Sequence, residues 1–213
     1  MKLKNFARLV TPCAAIVLFA VGNAHASTIA GSIYCGISSN TPTLANLSSV
    51  ATSANHCADF TATAINFQSP PGAYTLNGFL TSEGASTGAS AFFNGFTGTS
   101  SLNNTLFVFT GTAYFQNGQT FTVGHDDGTR MYVGGNLVLD QPGPTSFATS
   151  TYTYTGVTGN QSFEFLYSEV VGLPADYVTT LGSAPSVPEP GTFLLLGSGL
   201  LGAAGAIRRR MTA

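Results

Sequence analysis

Along most of this chain, apolar positions come in short bursts separated by Gly, Asn and Pro. The clearest burst is Leu106 to Phe115, where Leu106 and Val108 fall on one face of an extended chain and Phe107 and Phe109 on the other. Phe60 to Phe67 alternates more loosely and is broken by Ser69-Pro70-Pro71-Gly72, and Tyr74 to Thr81 reads as a further strand. Gln116-Asn117-Gly118-Gln119 carries the Asn-Gly pair of a tight hairpin, returning through Thr120 to Val123. A second hairpin is predicted from Arg130–Val133 through Gly134-Gly135-Asn136 to Leu137–Asp140. Gln141-Pro142-Gly143-Pro144 breaks the chain again. Phe147–Thr155, Ser162–Tyr167 and Tyr177–Leu181 complete the predicted strands. The single helical candidate in the body is Thr43 to Asn55, with Leu44, Leu47 and Val50 at three-residue spacing. Many short strands with this punctuation predict an all-β fold, an antiparallel β-sandwich of jelly-roll-like type.

The two ends follow a different pattern. Lys2, Lys4 and Arg8 precede an apolar run from Val10 to Gly22, and Ala24-His25-Ala26 has small-x-small form. This order is that of a secretory signal peptide, cleaved by signal peptidase to leave a chain starting near Ser27. At the other end come Val187-Pro188-Glu189-Pro190-Gly191, an apolar run from Thr192 to Ile207, and Arg208-Arg209-Arg210. As a helix this run would span about 24 Å, short against a hydrocarbon core of about 30 Å. The arginines belong on the cytoplasmic side. Motif, segment, basic stop and position together resemble the PEP-CTERM sorting signal of bacterial exported proteins. The resemblance implies recognition by a membrane protease-transpeptidase of the exosortase class, with cleavage near Pro188-Glu189-Pro190. A plain tail anchor is the alternative. The expected organisation is a signal peptide with an N-terminal signal helix over 1–26, an exported β-sandwich over 27–183, a linker over 184–191, and a C-terminal transmembrane sorting segment over 192–213. The expected route is export, transient anchoring in the inner membrane, then residence in the cell envelope or outside the cell.

Removing the ends changes the charge picture. Of seven basic residues only Arg130 lies in the body, against Asp59, Glu83, Asp126, Asp127, Asp140, Glu164, Glu169 and Asp176, for a net charge near −7. A surface without a basic footprint excludes nucleic acid and disfavours polyanions. Divalent cations and neutral sugars, including extracellular polysaccharide, remain as partners. Cys13 leaves with the signal peptide, so Cys35 and Cys57 are expected to form one disulfide in an exported chain. In the loop-entropy picture that bond contributes about 3 kcal/mol.

The densest stretch runs from Gln119 through His125-Asp126-Asp127-Gly128-Thr129-Arg130 to Asp140. A strand ending in Asp-Asp-Gly, a following strand, a Gly hairpin and a strand ending in Asp resemble the protective-antigen-like β-sandwich domain of toxins, glycosidases and flocculin adhesins. Phe163-Glu164-Phe165-Leu166-Tyr167-Ser168-Glu169, with Gly172 and Ala175 beyond, is similar to that family's Tyr-x-Glu strand and loop. Asp59-Phe60-Thr61 through Gly78-Phe79-Leu80 resembles the variant in fibro-slime-type exported proteins. The resemblance implies that Asp126 and Asp127 bind Ca2+, joined by a cis peptide, and that the ion holds sugar hydroxyls. Hard oxygen ligands suit that ion. Further ligands must come from a later segment, with Glu169, Asn160 and Asp176 as candidates. The competing reading is a simple turn, in which the Asp127 side chain accepts backbone N–H groups, Gly128 takes positive φ, and Asp127 pairs with Arg130.

Other chemistry is sparse. A Ser-His-Asp hydrolase would have to use His56 or His125, and no Gly-x-Ser-x-Gly elbow is present. Glu164 and Glu169, five apart on one predicted strand, face opposite sides and make a poor glycosidase pair. Tyr132, Tyr152, Tyr154 and Tyr167 suit either core packing or stacking on sugar rings. The expectation is a non-enzymatic exported matrix or adhesin-like module binding glycan through calcium. A purely structural surface protein and a glycan-active hydrolase are the alternatives.

Overall fold

Two eleven-residue strands form the centre of the fold: β5 (Thr105–Phe115) and β10 (Gly159–Glu169). They pair antiparallel without a slip from Thr105 opposite Glu169 to Phe115 opposite Gly159. Side chains alternate along a strand, so β5 turns Phe107, Phe109 and Phe115 inward and β10 turns Phe163, Phe165 and Tyr167 inward, all buried. The computed structural model describes residues 28–37, 51–69, 74–170 and 174–181. These all fall in one compact unit, His25–Val187.

The remaining strands are β1 (Ile29–Cys35), β2 (His56–Ala62), β3 (Asn66–Gln68), β4 (Ser86–Phe92), β6 (Thr120–Asp126), β7 (Gly128–Val133), β8 (Asn136–Gln141), β9 (Ala148–Thr153) and β11 (Asp176–Thr179). One sheet has seven strands in the order β4-β2-β1-β5-β10-β7-β8, the other four in the order β3-β11-β6-β9. All recorded pairings are antiparallel. The sheets face each other across one core, with Phe109 of β5 against Tyr177 of β11 at 5.6 Å and Phe60 of β2 edge-on to Phe67 of β3 at 6.0 Å. The fold is therefore the expected all-β sandwich. The expected disulfide is formed: Cys35 and Cys57 bridge neighbouring strands β1 and β2, with Cα atoms 5.8 Å apart.

Several expectations are corrected. Phe60–Phe67 is two strands in different sheets, because inward positions change parity between Phe60/Ala62 and Ile65/Phe67, and Thr63-Ala64 absorbs the break. Tyr74–Thr81 contains a helix, α1 (Leu76–Leu80), rather than a strand. Its buried residues Leu76, Phe79 and Leu80 follow the i, i+3, i+4 rule, and Thr75 Oγ1 caps it by accepting from the Gly78 amide at 3.1 Å. The Asn117-Gly118 turn exists, with Gly118 at φ 83°, but it is not a hairpin. β5 is already flanked by β1 and β10, so the turn carries the chain across to the second sheet. There the Gly118 amide donates to Tyr154 O and the Asn117 side chain to Thr155 O and Gly156 O. The Gly134-Gly135 hairpin joins β7 to β8 as expected, both glycines at positive φ. Residues 51–55 form bends and turns rather than the end of a helix, and 43–50 lie outside the described residues. So do the signal peptide, the linker and the sorting segment. Among the described residues no helix is long and apolar enough to cross a membrane.

β1 and β4 carried no sequence signal. In β1 the inward row is Ile29, Gly31, Ile33, Cys35, and the glycine hides the alternation. Its missing side chain is filled by the Phe60 ring, three atoms of which lie 2.1–2.5 Å from where a Cβ would stand. Gly31→Ala is therefore expected to destabilise the protein by about 1–3 kcal/mol through overpacking, read as a lower urea midpoint. Adding Phe60→Leu should recover part of that loss, and independent, additive costs would show that the two residues do not share this space.

Candidate functional site

β6 ends in His125-Asp126, β7 begins at Gly128, and Asp127 lies between them. The Asp126–Asp127 peptide is cis. The Asp126 and Asp127 carboxylates converge with that of Glu169, the last residue of β10, each offering an oxygen within 4.8 Å of the others. Glu169 continues the inward row of Phe163, Phe165 and Tyr167, so strand parity delivers it to this end of the sandwich. Asp127 and Glu169 are buried and Asp126 is half-buried.

The surrounding groups hold the carboxylates without neutralising them. Asp127 accepts the Thr145 amide through Oδ1 at 3.1 Å and the Val170 amide through Oδ2 at 2.8 Å. One side chain thus ties the β8–β9 loop and the end of β10 to the β6–β7 junction. Tyr167 donates its hydroxyl to the Asp126 carbonyl and lies 2.9 Å from Glu169 Oε2. Glu169 Oε1 is buried with no partner among the described residues, and so is the Tyr74 hydroxyl. Burial pushes the Glu169 carboxyl up to about 8, with further upward pressure from Asp127 and Asp126. Asp126 is raised by burial and then by Asp127, and Tyr74 is pushed up to about 12 by burial and then by Glu169. Asp176 lies opposite Asp126 in the β11–β6 pairing and is also raised by burial.

The donor set is all oxygen, concentrated in negative charge, and includes an orphaned buried carboxylate oxygen. Such a set fits a hard divalent cation such as Ca2+, which Asp126, Asp127 and Glu169 could hold. Glu169 is thus the third carboxylate beside the two aspartates. Asn160 is excluded, since it stands nine residues down β10, about 30 Å away, opposite exposed Tyr114. Tyr74 was not anticipated, because only the tertiary fold brings it near the cluster.

The simple-turn alternative meets a different geometry. Gly128 does not adopt positive φ. It is glycine because a Cβ would stand 2.5 Å from Pro142 O and 2.8 Å from Ser168 Oγ. Arg130 pairs with Asp140 at 2.5 Å rather than with Asp127. Asp127 does accept two backbone N–H groups, but from segments 18 and 43 residues away in sequence. Neither histidine meets a serine. His125 uses Nδ1 on Asp127 O and Nε2 on Gln141 Oε1, while Asp59 lies between His56 and Ser32 and accepts from both. Tyr154 and Tyr167 are core residues; Tyr132 and Tyr152 are half-buried.

Residues 186–210 match the PEP-CTERM protein-sorting motif, and the chain is accordingly an exported protein. The body has the fold of the PA14 domains. It superimposes on a structure described as a PA14 sugar-binding domain from an RTX adhesin with a TM-score of 0.53, at 21% identity over 72% of this chain and 88% of that one. The PA14 domain of the MpAFP antifreeze protein gives a TM-score of 0.50, at 20% identity over 71% of this chain and 78% of that one. No curated protein matches the chain in sequence.

The elevated Glu169 carboxyl has a measurable consequence. Its folded value of about 8 lies above the ordinary 4.5. Its contribution to stability is therefore fully present below about 4.5 and is lost as pH rises toward 8. In chelator, urea stability should fall across that window, and Glu169→Gln should flatten the fall. An unchanged slope in the variant would show that Glu169 does not hold a proton in the folded state.

Proposed function

We propose that the exported body is a calcium-dependent glycan-binding, adhesin-like module of the cell envelope or extracellular matrix, and not an enzyme. The observation that carries this reading is the convergence of Asp126, Asp127 and Glu169 on one small volume, with Glu169 Oε1 buried and unpartnered among the described residues. Asp126, Asp127 and Glu169 would hold the ion, and the ion would supply affinity for vicinal hydroxyls. The sugar-binding adhesin domain of the same fold supports the assignment. Glu164 and Glu169 share no site, which supports a binding role over hydrolysis. Export begins with cleavage after Ala26. It ends with recognition of Val187-Pro188-Glu189-Pro190 by an exosortase-type protease, while the 192–207 segment and Arg208-Arg209-Arg210 hold the tail transiently in the inner membrane.

Phe147 gives the site an edge suited to a sugar ring. It is 46% exposed, its ring packs over Gly124, and its backbone supports the Asp126 carboxylate. Gly124 and Asp126 are two apart on β6 and so share a face.

A second reading, a purely structural protein, is favoured by the two backbone amides that Asp127 already accepts. Calorimetry separates the two. Ca2+ is expected to bind with Kd between about 10⁻⁶ and 10⁻³ M and to raise Tm in proportion to saturation. Asp126→Asn combined with Glu169→Gln should abolish both effects; no heat and no Tm shift in the native chain would leave the structural reading. Phe147→Ala should preserve calcium binding while weakening glycan binding several-fold, the scale of one lost aromatic contact. Equal glycan affinity in this variant would remove Phe147 from the site.

A further inference from the structure

We propose a second binding site, for a neutral sugar unit and independent of metal, in the groove on the outer face of the seven-stranded sheet at Thr110, Tyr132, Ser162 and Glu164. The groove has a volume of about 460 Å³ and is also lined by Gly111, Gly135 and Phe163. That volume lies within the range of small-ligand sites, roughly 300–1,000 Å³. Glu164 is at its centre. In register it has Thr110 of β5 on one side and Tyr132 of β7 on the other. Three abreast at about 4.8 Å per strand span about 10 Å. Ser162 extends the same face by one step along β10.

The polar groups here are uncommitted. Among the described residues no hydrogen bond reaches the Glu164 carboxylate, the Tyr132 hydroxyl, or the side chains of Thr110 and Ser162. Arg130, the only cation between residues 27 and 188, stands two positions from Tyr132 and is bonded to Asp140. It therefore does not neutralise Glu164. A half-buried carboxylate and three hydroxyls, one of them on the half-buried Tyr132 ring, make a surface rich in acceptors with an apolar plate beside it. Gly135, at φ 79°, keeps the rim open, since a Cβ there would meet nothing within 4 Å. With Arg130 paired to Asp140, the uncompensated Glu164 carboxylate disfavours anionic ligands. A ligand with several hydroxyl donors and an apolar ring face satisfies every group present.

This site does not rest on the acidic cluster. Glu164 and Glu169 lie on opposite faces of β10 and five residues apart, about 17 Å along the strand. The test is saturation-transfer NMR on the full chain in EDTA, with glucose, galactose, mannose and N-acetylglucosamine as probes. At least one should give a signal in EDTA. Tyr132→Ala should abolish it, and Glu164→Gln, a conservative change outside the core, should weaken affinity about tenfold or more, the scale of one charge-assisted hydrogen bond. Asp126→Asn with Glu169→Gln should leave it intact. No signal in EDTA, a signal that survives both groove variants, or binding of free lysine there without any sugar would overturn the proposal. Loss of only the calcium-dependent binding would count against the acidic cluster and leave the groove standing.

Discussion

The aromatic layer between the two sheets is the constraint on which the rest of the structure depends. Phe60, Phe67, Phe79, Phe107, Phe109, Phe165, Tyr167 and Tyr177 are all buried and touch in sequence across both sheets and helix α1. Rings of this size each remove some 150–250 Å² from water and have few rotamers, so a layer built from them is rigid as well as cohesive. It ends in a stacked pair, Tyr167 on Tyr177, with centroids 4.7 Å apart and planes 11° from parallel. Beyond that pair the layer becomes polar. The Tyr167 hydroxyl reaches the Asp126 carbonyl and Glu169, and the Tyr177 hydroxyl reaches Thr129. The positions of the acidic groups are therefore set by the packing of phenyl rings two or three residues away.

That placement has an electrostatic cost that the protein leaves partly unmet. Asp127 is the best supplied, with an amide on each carboxylate oxygen. Glu169 has a partner for one oxygen only among the described residues. Burial and neighbouring carboxylates favour its protonated form, which explains why its carboxyl is raised so far. No side chain of opposite sign is free to help, because the single arginine of the body is bonded to Asp140 on the other side of β7. A proton on Glu169 removes its repulsion with both aspartates and leaves that between Asp126 and Asp127, whereas a divalent cation held by all three would offset every pair.

Strand content was legible wherever large side chains mark alternation. Leu106–Phe115 and the two strands around Gly134-Gly135 needed nothing beyond their own residues. Legibility failed where a glycine stood in for a core side chain, as at Gly31, or where an edge strand carried small residues, as in Ser86–Phe92. It failed again at Leu76–Leu80, where aromatic and glycine content suggested extension although the apolar spacing was helical. The paired aspartates were visible because they are adjacent in sequence. Glu169 was only one candidate among three, since its meeting with Asp127 depends on β10 pairing with β7, which sets Ser168 opposite Gly128, while Asp126 closes β6 in the other sheet. Local pattern cannot encode that. Sheet membership itself was illegible at Asn117-Gly118, whose sequence specifies a reversal of direction but not the strand that follows as a partner.

Strand parity explains how one strand presents side chains to two surfaces. Along β10, Phe163, Phe165, Tyr167 and Glu169 face the core and the acidic end of the sandwich. Ser162, Glu164, Leu166 and Ser168 face the other way. Glu164 and Glu169, at an odd separation on a single strand, therefore do not face each other. The same separation places one carboxylate beside Asp126 and Asp127 and the other beside a half-buried ring and hydroxyls. In a body with a net charge near −7 and no lysine, electrostatic adhesion to anionic surfaces is unfavourable. The two proposed sites avoid that penalty, since one would engage hydroxyls through a divalent cation and the other would engage them directly.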